Sequence, residues 1–374
     1  MIESVRNSSL GIDFGSRAMK IIVANGAFGR ISLQHAAMLD FESGPAKRLR
    51  TWVRERELTG CRSVISVPAD KAVLRWVMLP NVRGEERREA ARFRVKRHLP
   101  FPVEEAFIET TEPEVEEEGV SASLVIAVRR EVIERRVETV ASAGLKPVAA
   151  ELEAQGVLRV VDRRLQERSL LWRNASLTIL DIGNDYTQMY VVQNQRLQFL
   201  RSVRFGVSHI VEALASALEI SNEEADARLA LPGTTIRQDG RLVIDTAHET
   251  AVVDLSAVLE RLTRECLRLL RYFRSLHPER SYAGILDHMV LSGGAAGVRG
   301  LAEFLSTFLK LRVEPVRPFA GLAANIEGDA FRKLAMGQEA YTVALGLALC
   351  GLDKAATEHR KEGHEAKFVW QRCG

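Results

Sequence analysis

Two short stretches carry an acid, a glycine and hydroxyl groups at matching spacing. Residues 10–24, and about 170 residues later residues 177–192, each run apolar residues into Asp-x-Gly, then a short polar link, then a second apolar run. An aspartate that ends a buried strand ahead of a glycine turn can gather backbone N–H groups and small side chains around a phosphate. Two such turns facing each other would hold a polyphosphate between them, with the carboxylates gripping Mg²⁺ through water, since that ion dehydrates reluctantly. On this chemistry Asp13 and Asp181 handle the metal. Gly15, Ser16, Gly183 and Thr187 supply turn amides and hydroxyls, and Lys20 is a cation for phosphate. One Asp-x-Gly alone is more simply a hairpin turn; the second copy favours the phosphate reading.

A third motif spans residues 288–301, where an apolar strand meets Gly293, Gly294 and Ala295 before a helix at 301–309. Glycine lets a backbone approach a flat base or ribose closely. Taken alone the junction is unspecific. It lacks GxGxxG, and no GxxxxGK[ST] occurs anywhere, which disfavours Rossmann and P-loop sites.

The elements that must position these groups can be read from periodicity. Each Asp-x-Gly unit is followed by a third β-rich stretch, at 30–40 and 196–205, so the chain reads as two similar α/β domains. Between them the pattern predicts strands at 63–68, 74–80 and 123–128, a charged helix over 84–98, and a helix over 130–143 closed by Gly144. We read about 63–145 as an inserted β-α-β-α subdomain, with 112–119 as a solvated loop or hairpin tip. Helices are predicted at 207–218, at 221–229 with Ser221 or Asn222 as N-cap, and over 255–273. The last carries apolar residues at 255, 258, 259, 262, 266, 269, 270 and 273 on one face. The expected domains are 1–165 and 175–352, followed by a tail at 353–374.

The 374 residues suffice for two cores, and 46% hydrophobic with 27% charged residues is ordinary globular composition. A net charge of +3 gives no global field for nucleic acid. The basic run Arg92, Arg94, Lys96, Arg97 and His98 follows Glu85, Glu86 and Glu89 on the same helix, a charge order that suits the helix dipole and a solvated face. Cys61, Cys266, Cys350 and Cys373 show no metal or disulfide spacing, and the histidines form no ligand set. Trp52, Trp76, Trp172 and Trp370 read as core or rim packing. A polar start and the lack of eighteen consecutive apolar residues predict a cytosolic protein without direct membrane insertion.

Taken in order, the three motifs resemble the two phosphate loops and the adenosine loop of the actin/Hsp70/sugar-kinase superfamily. The resemblance is nearest to the PilM family of actin-like type IV pilus assembly proteins. It extends through Val67-Pro68, Leu79-Pro80, Leu99-Pro100-Phe101, 143–147, 181–187, 291–294, 314–319 and 343–349. It implies an actin-like, two-lobed ATPase fold of ribonuclease-H-like duplicated type, with an FtsA/PilM-type insertion in the first lobe. It also implies ATP and Mg²⁺ bound between the lobes. It implies a partner, the N-terminal cytoplasmic peptide of a PilN-like bitopic membrane protein, alongside other pilus platform or motor proteins. That would place the chain in the cytoplasm, peripheral to the inner membrane. Residues 225–229 stand where the family carries Ala-Glu-x-x-Lys, so Asp226 takes the ribose acid's position and Leu229 the lysine's. Ala295 stands where a third glycine is common.

A sugar- or acetate-type kinase of the same superfamily needs a catalytic base, and no such set is assignable. A GspL-like scaffold without nucleotide is disfavoured by the intact motif residues. For ATP hydrolysis Glu151, Glu153 and Gln155 are candidates to position a water, with a purely structural role an equal reading.

Overall fold

The computed structural model describes residues 7–27, 30–41, 44–111, 116–117, 119–168, 176–193, 196–246, 250–276, 288–359 and 369–370. Trp172, the side chain of Trp370, and most of the 112–119 loop and the 353–374 tail lie outside the described residues. The chain divides into two compact units. One comprises Met1–Arg159, Gly321–Glu327 and Val343–Gly374, and the other Val160–Ala320 with Gly328–Thr342.

In the first unit β1 (Ser8–Phe14), β2 (Ala18–Ala27) and β3 (Arg30–Asp40) form an antiparallel meander. β4 (Arg62–Val67) adds to β1 in parallel, and β9 (Lys146–Leu152) adds to β4 in parallel. Ala323–Ala324 and Val369–Trp370 close the two edges of this seven-stranded sheet. β1 is buried nearly throughout, as a central strand covered on both faces must be. The helix α1 (Pro45–Glu55) leads from β3 to β4, starting with Pro45 at its first turn and burying Leu49, Trp52 and Val53.

The inserted sheet differs from the sequence pattern, lacking the strand at 63–68 and gaining two at 106–110 and 116–117. It holds β5 (Ala72–Pro80), β6 (Ala106–Thr110), β7 (Glu116–Glu117) and β8 (Val120–Arg129), all pairing antiparallel, with β8 between β5 and β6. The strand at 63–68 belongs to the main sheet as β4, because its register with β1 leaves no choice of partner. The helix α2 (Gly84–Val95) lays Ala91 and Val95 on Leu79, Val125 and Ala127. Its buried Arg87 donates to the Ser121 and Ser123 hydroxyls. The basic end is solvated as expected, with Arg94, Lys96, Arg97 and His98 exposed. Trp52 packs edge-on to His35, whereas Trp76 is exposed on the inserted sheet. The helix α3 (Arg130–Ser142) follows β8 and returns the chain to the main sheet, and α4 (Glu153–Arg168) follows β9.

The second unit repeats the plan. β10 (Ser176–Ile182), β11 (Thr187–Gln193) and β12 (Arg196–Val203) form the meander; β16 (His288–Ser292) joins β10 in parallel, and β17 (Arg312–Pro315) joins β16. The order β12-β11-β10-β16-β17 reproduces β3-β2-β1-β4-β9. The match reaches single residues: Asp13 faces Lys20 across the first hairpin, and Asp181 faces Gln188 across the second. Each meander also shifts register once, at Val23/Ala24 and at Val191/Val192.

Around this sheet lie α5 (Val207–Leu218), α6 (Asn222–Leu229) and a three-stranded sheet of β13 (Thr234–Ile236), β14 (Arg241–Asp245) and β15 (Thr250–Asp254). Ser221 caps α6 by accepting from the Glu224 N–H. The helix α7 (Ser256–Leu276) buries Leu259, Leu262, Cys266, Leu269, Leu270 and Phe273, the stripe its periodicity predicts. α8 (Leu301–Leu309) and α9 (Gly328–Met336) complete the unit.

The helix Thr342–His359 belongs, from Val343 on, to the first unit, not to the second as its position before 352 suggested. The reason is a set of glycines. A Cβ on Gly11 would run into the Ala344 carbonyl, and one on Gly156 would stand 2.9 Å from the Val343 carbonyl. The helix therefore meets β1 at Gly11 and α4 at Gly156, backbone to backbone. Among the described residues no helix is long and apolar enough to cross a membrane.

Candidate functional site

In the first unit the hairpin between β1 and β2 is closed by Gly15 N–H donating to Ala18 O at 3.1 Å. Asp13, only 4% exposed, ends β1 with its carboxylate accepting from Lys20 Nζ at 3.2 Å. Gly15 presses on the same place, since a Cβ there would stand 3.3 Å from Lys20 Nζ. Ser16 is exposed at the tip. So Asp13, Gly15 and Lys20 form one group, as expected from their spacing.

A fourth member was not legible in the sequence. Arg136 of α3 donates to the Ser66 carbonyl and to the Phe14 carbonyl, the latter at 3.5 Å, with its guanidinium 5.1 Å from the Phe14 ring centre. Ser66 Oγ in turn accepts from Phe14 N–H at 2.9 Å. Burial pulls the Arg136 guanidinium below the ordinary arginine range, against the opposing pull of Glu153, Asp13 and Asp70. Three segments far apart in the chain meet on this one side chain, and no local spacing announces that.

Of the three residues suggested to position a water, two are committed elsewhere. Glu151 is fully buried, paired with Arg159 at 3.0 Å, and accepts from the Cys350 thiol at 2.8 Å. Arg159 also donates to Gly346 O at 2.8 Å, which ties β9, α4 and the last helix together. Gln155 Oε1 accepts from Leu152 N–H at 3.1 Å, capping α4. Glu153 opens that helix within electrostatic range of Arg136.

In the second unit Gly183 N–H donates to Tyr186 O at 2.9 Å, closing the equivalent hairpin. Thr187 is fully buried and its hydroxyl donates to Phe205 O at 2.8 Å, so it braces the turn instead of offering that proton to a phosphate. The first amides of α5 are likewise engaged by the turn, Val207 N–H with Gly183 O and Ser208 N–H with Asn184 O.

Asp181 is 8% exposed and lies opposite Ser292 in the parallel β10–β16 pair. That register delivers Gly293 to the aspartate. Gly293 has φ 86°, and a Cβ there would stand 2.6 Å from Asp181 Oδ1 and closer still to the Ile182 carbonyl. Nothing lies within 4 Å of a Cβ on Gly294, so the turn is open on that side. Ala295 points its methyl into the core and can contribute backbone only. Asp226 is half-buried on α6.

Among the described residues no three His, Cys, Asp or Glu side chains cluster as a metal site. Asp13 in the first unit and Asp181 in the second each present a single carboxylate beside a glycine turn, a donor type that suits hydrated Mg²⁺. The glycine-shaped turns beside both aspartates fit an anionic, flat ligand approached by backbone.

The duplicated sheet with its matching hairpins is the actin-like ATPase fold. MreB5 of Spiroplasma citri bound to ADP shares it, with a TM-score of 0.54 at 11% identity over 96% of this chain and 100% of that one. The AMPPNP-bound form of the same protein gives a TM-score of 0.51. A solved PilM–PilN type IV pilus biogenesis complex aligns with a TM-score of 0.74 at 24% identity, over 92% of this chain and 98% of that chain. The profile of the type IV pilus assembly protein PilM matches residues 11–352, and the chain belongs to that family. Its role is therefore in type IV pilus assembly. No curated protein matches by sequence.

Proposed function

We propose that this chain binds ATP with Mg²⁺ and passes its nucleotide state to a PilN-like bitopic membrane protein, whose N-terminal cytoplasmic peptide it takes up on the inserted sheet. The carrying observation is Arg136. It stands on the helix that leaves the inserted sheet, and its guanidinium holds the carbonyls at both ends of the Phe14–Ser66 contact beneath the first phosphate turn. A change at the turn shifts this helix, and a ligand that shifts the helix biases the turn. Such coupling is reciprocal.

Each residue has a task in this reading. Asp13 and Asp181 would hold a hydrated Mg²⁺, the hairpins closed at Gly15 and Gly183 would place their remaining backbone beside the phosphates, and Lys20 would exchange its carboxylate partner for phosphate. Gly293 and Gly294 lie under the adenosine, and Asp226 serves the ribose. The bound metal supplies charge neutralisation of the phosphates. PilN in the solved PilM complex supports the choice of partner. The extended peptide would dock beside α2, whose ends are bracketed by Pro80, Pro100 and Pro102. Placement at the inner membrane then comes through that partner, as do contacts with other platform or motor proteins.

The test is calorimetric titration of the purified protein with a synthetic PilN N-terminal peptide, with and without Mg²⁺–ATP. A peptide affinity that changes at least fivefold with nucleotide supports the reading, and Arg136→Met should abolish the change. Peptide affinity identical with and without nucleotide would sink it.

A further inference from the structure

The C-terminal end of α2 gathers Arg92, Arg94, Lys96 and Arg97, and no acid occurs between Ala90 and Val103 to answer them. Arg92 is used within the protein: it donates to Val103 O at 3.4 Å and lies 3.9 Å from Glu89. Arg94, Lys96 and Arg97 are exposed, and neither Arg94 nor Lys96 meets an acid among the described residues. Phe93 stands among them with 79% of its surface exposed, more than any other large apolar side chain among the described residues. Lys96 and Arg97 follow it by three and four residues, the spacing that shares one helix face. The backbone beneath is held in place, since Ala91 and Val95 are fully buried on the opposite face and Leu99 packs on the same small core. Glu85 and Glu86 open the helix. Ten residues at 1.5 Å each place Glu86 about 15 Å from Lys96 along the axis, beyond the screening length of about 8 Å at physiological salt. The helix therefore presents a rigid, positive end with a bare aromatic ring at its centre.

We propose that this end of α2 touches an anionic lipid surface directly, with Phe93 entering the headgroup layer while Arg94, Lys96 and Arg97 engage lipid phosphates. The charge is complementary to such a surface, and the aromatic ring decides between lipid and an acidic protein. A protein partner would have to supply a shaped pocket for a ring that protrudes this far. The bilayer interface accepts one without a pocket, because aromatic rings settle at headgroup level. The contact is adsorption and not a crossing, in keeping with the lack of a membrane-spanning helix among the described residues. Each base near an anionic surface strengthens binding roughly fivefold, so three give about 100-fold. That remains reversible on its own, since stable anchoring takes a second signal. The patch depends on neither the nucleotide nor the peptide of the reading above. Beside any partner tether it would act as a second, weak attachment that raises the overall hold.

The experiment is co-sedimentation of the full-length protein, without nucleotide or peptide, with two kinds of vesicle. One is phosphatidylcholine alone and the other contains about 30% phosphatidylglycerol. Three proteins are compared: wild type, the double variant Arg94→Glu with Lys96→Glu, and Phe93→Ser. All the substituted side chains are exposed, so each protein should melt as wild type does, and a melting curve establishes this first. Wild type should bind the anionic vesicles at least about tenfold more tightly than the neutral ones, and added salt should weaken that binding. The double charge reversal should reduce anionic binding to the neutral level. Phe93→Ser should weaken it by about threefold or more. Equal binding of wild type to both vesicles, or binding to neither, overturns the proposal, as does a charge-reversed protein that binds like wild type. Anionic binding that the charge reversal removes but Phe93→Ser leaves intact also overturns it, and marks a site for polyanions such as an acidic protein segment.

Discussion

Gly293 is the position where one methyl group should do the most damage. Its φ of 86° and ψ of 179° lie in a region that only glycine adopts readily, and a side chain there carries a strain of about 1–3 kcal/mol. The new Cβ would also stand 2.6 Å from Asp181 Oδ1, an overlap relieved only by moving backbone or carboxylate, at a further cost of about 1–3 kcal/mol. Gly293→Ala should therefore destabilise the second unit by roughly 2–6 kcal/mol, a large share of the 5–15 kcal/mol typical of a whole domain. Gly294→Ala is the internal control, since nothing lies within 4 Å of its added methyl. It should fall within about 0.5 kcal/mol of wild type. Urea unfolding followed by circular dichroism gives both values from the shift in midpoint. Equal stability of Gly293→Ala and wild type would refute the packing argument. So would a Gly294→Ala variant as damaged as Gly293→Ala.

Asp13→Ala and Asp181→Ala should each abolish Mg²⁺-dependent ATP binding while melting as cooperatively as wild type; retained binding in both would remove the metal role. Glu151→Gln breaks the ion pair between the buried Glu151 and the half-buried Arg159 and should cost roughly 1–3 kcal/mol in urea unfolding, with ATP affinity retained in the folded protein. A further prediction concerns pH. Because burial raises the Glu339 pKa in the folded state, the native protein holds a proton that the unfolded chain releases above a pH of about 4.3. Stability from this group is thus lost as pH rises from there through the folded value, and Glu339→Gln should remove that part of the slope. Melting temperatures of both proteins from pH 4 to 7.5 should diverge upward in favour of Glu339→Gln. Parallel curves would contradict the shift.

The parts of the fold legible in the sequence were those written in local pattern. The two Asp-x-Gly hairpins, the cap at Ser221 and the apolar stripe of α7 each depend on residues within a few turns of one another. The grouping of Asp13, Gly15 and Lys20 is legible for the same reason, as all three lie on one hairpin. What escaped depends on distant segments. Arg136 reaches Phe14 and Ser66 from another element entirely, and Glu339 is defined by the turn it faces more than 40 residues earlier. Thr187 and Ala295 sit in the motifs as expected, but each side chain points inward. A motif fixes the residue type and leaves the direction of the side chain to packing. The strand at 63–68 reads as part of the insertion because its apolar alternation looks the same in either sheet; only its register with β1 decides.

The glycine contacts between the last helix and the first sheet impose an order on synthesis. The first unit draws on Val343 and beyond, yet the second unit's residues are translated in between. At about 5–20 residues per second, the ribosome needs roughly 10–40 s to pass from Arg159 to that helix. During this interval the second unit can fold as it emerges, while the earlier segment waits uncovered where Gly11 of the sheet and Gly156 of α4 make room for Val343, Ala344 and Ala348. The N-terminal half of the chain is therefore the last to mature, and a nascent chain released before the final helix would carry a finished second unit attached to an incomplete first one.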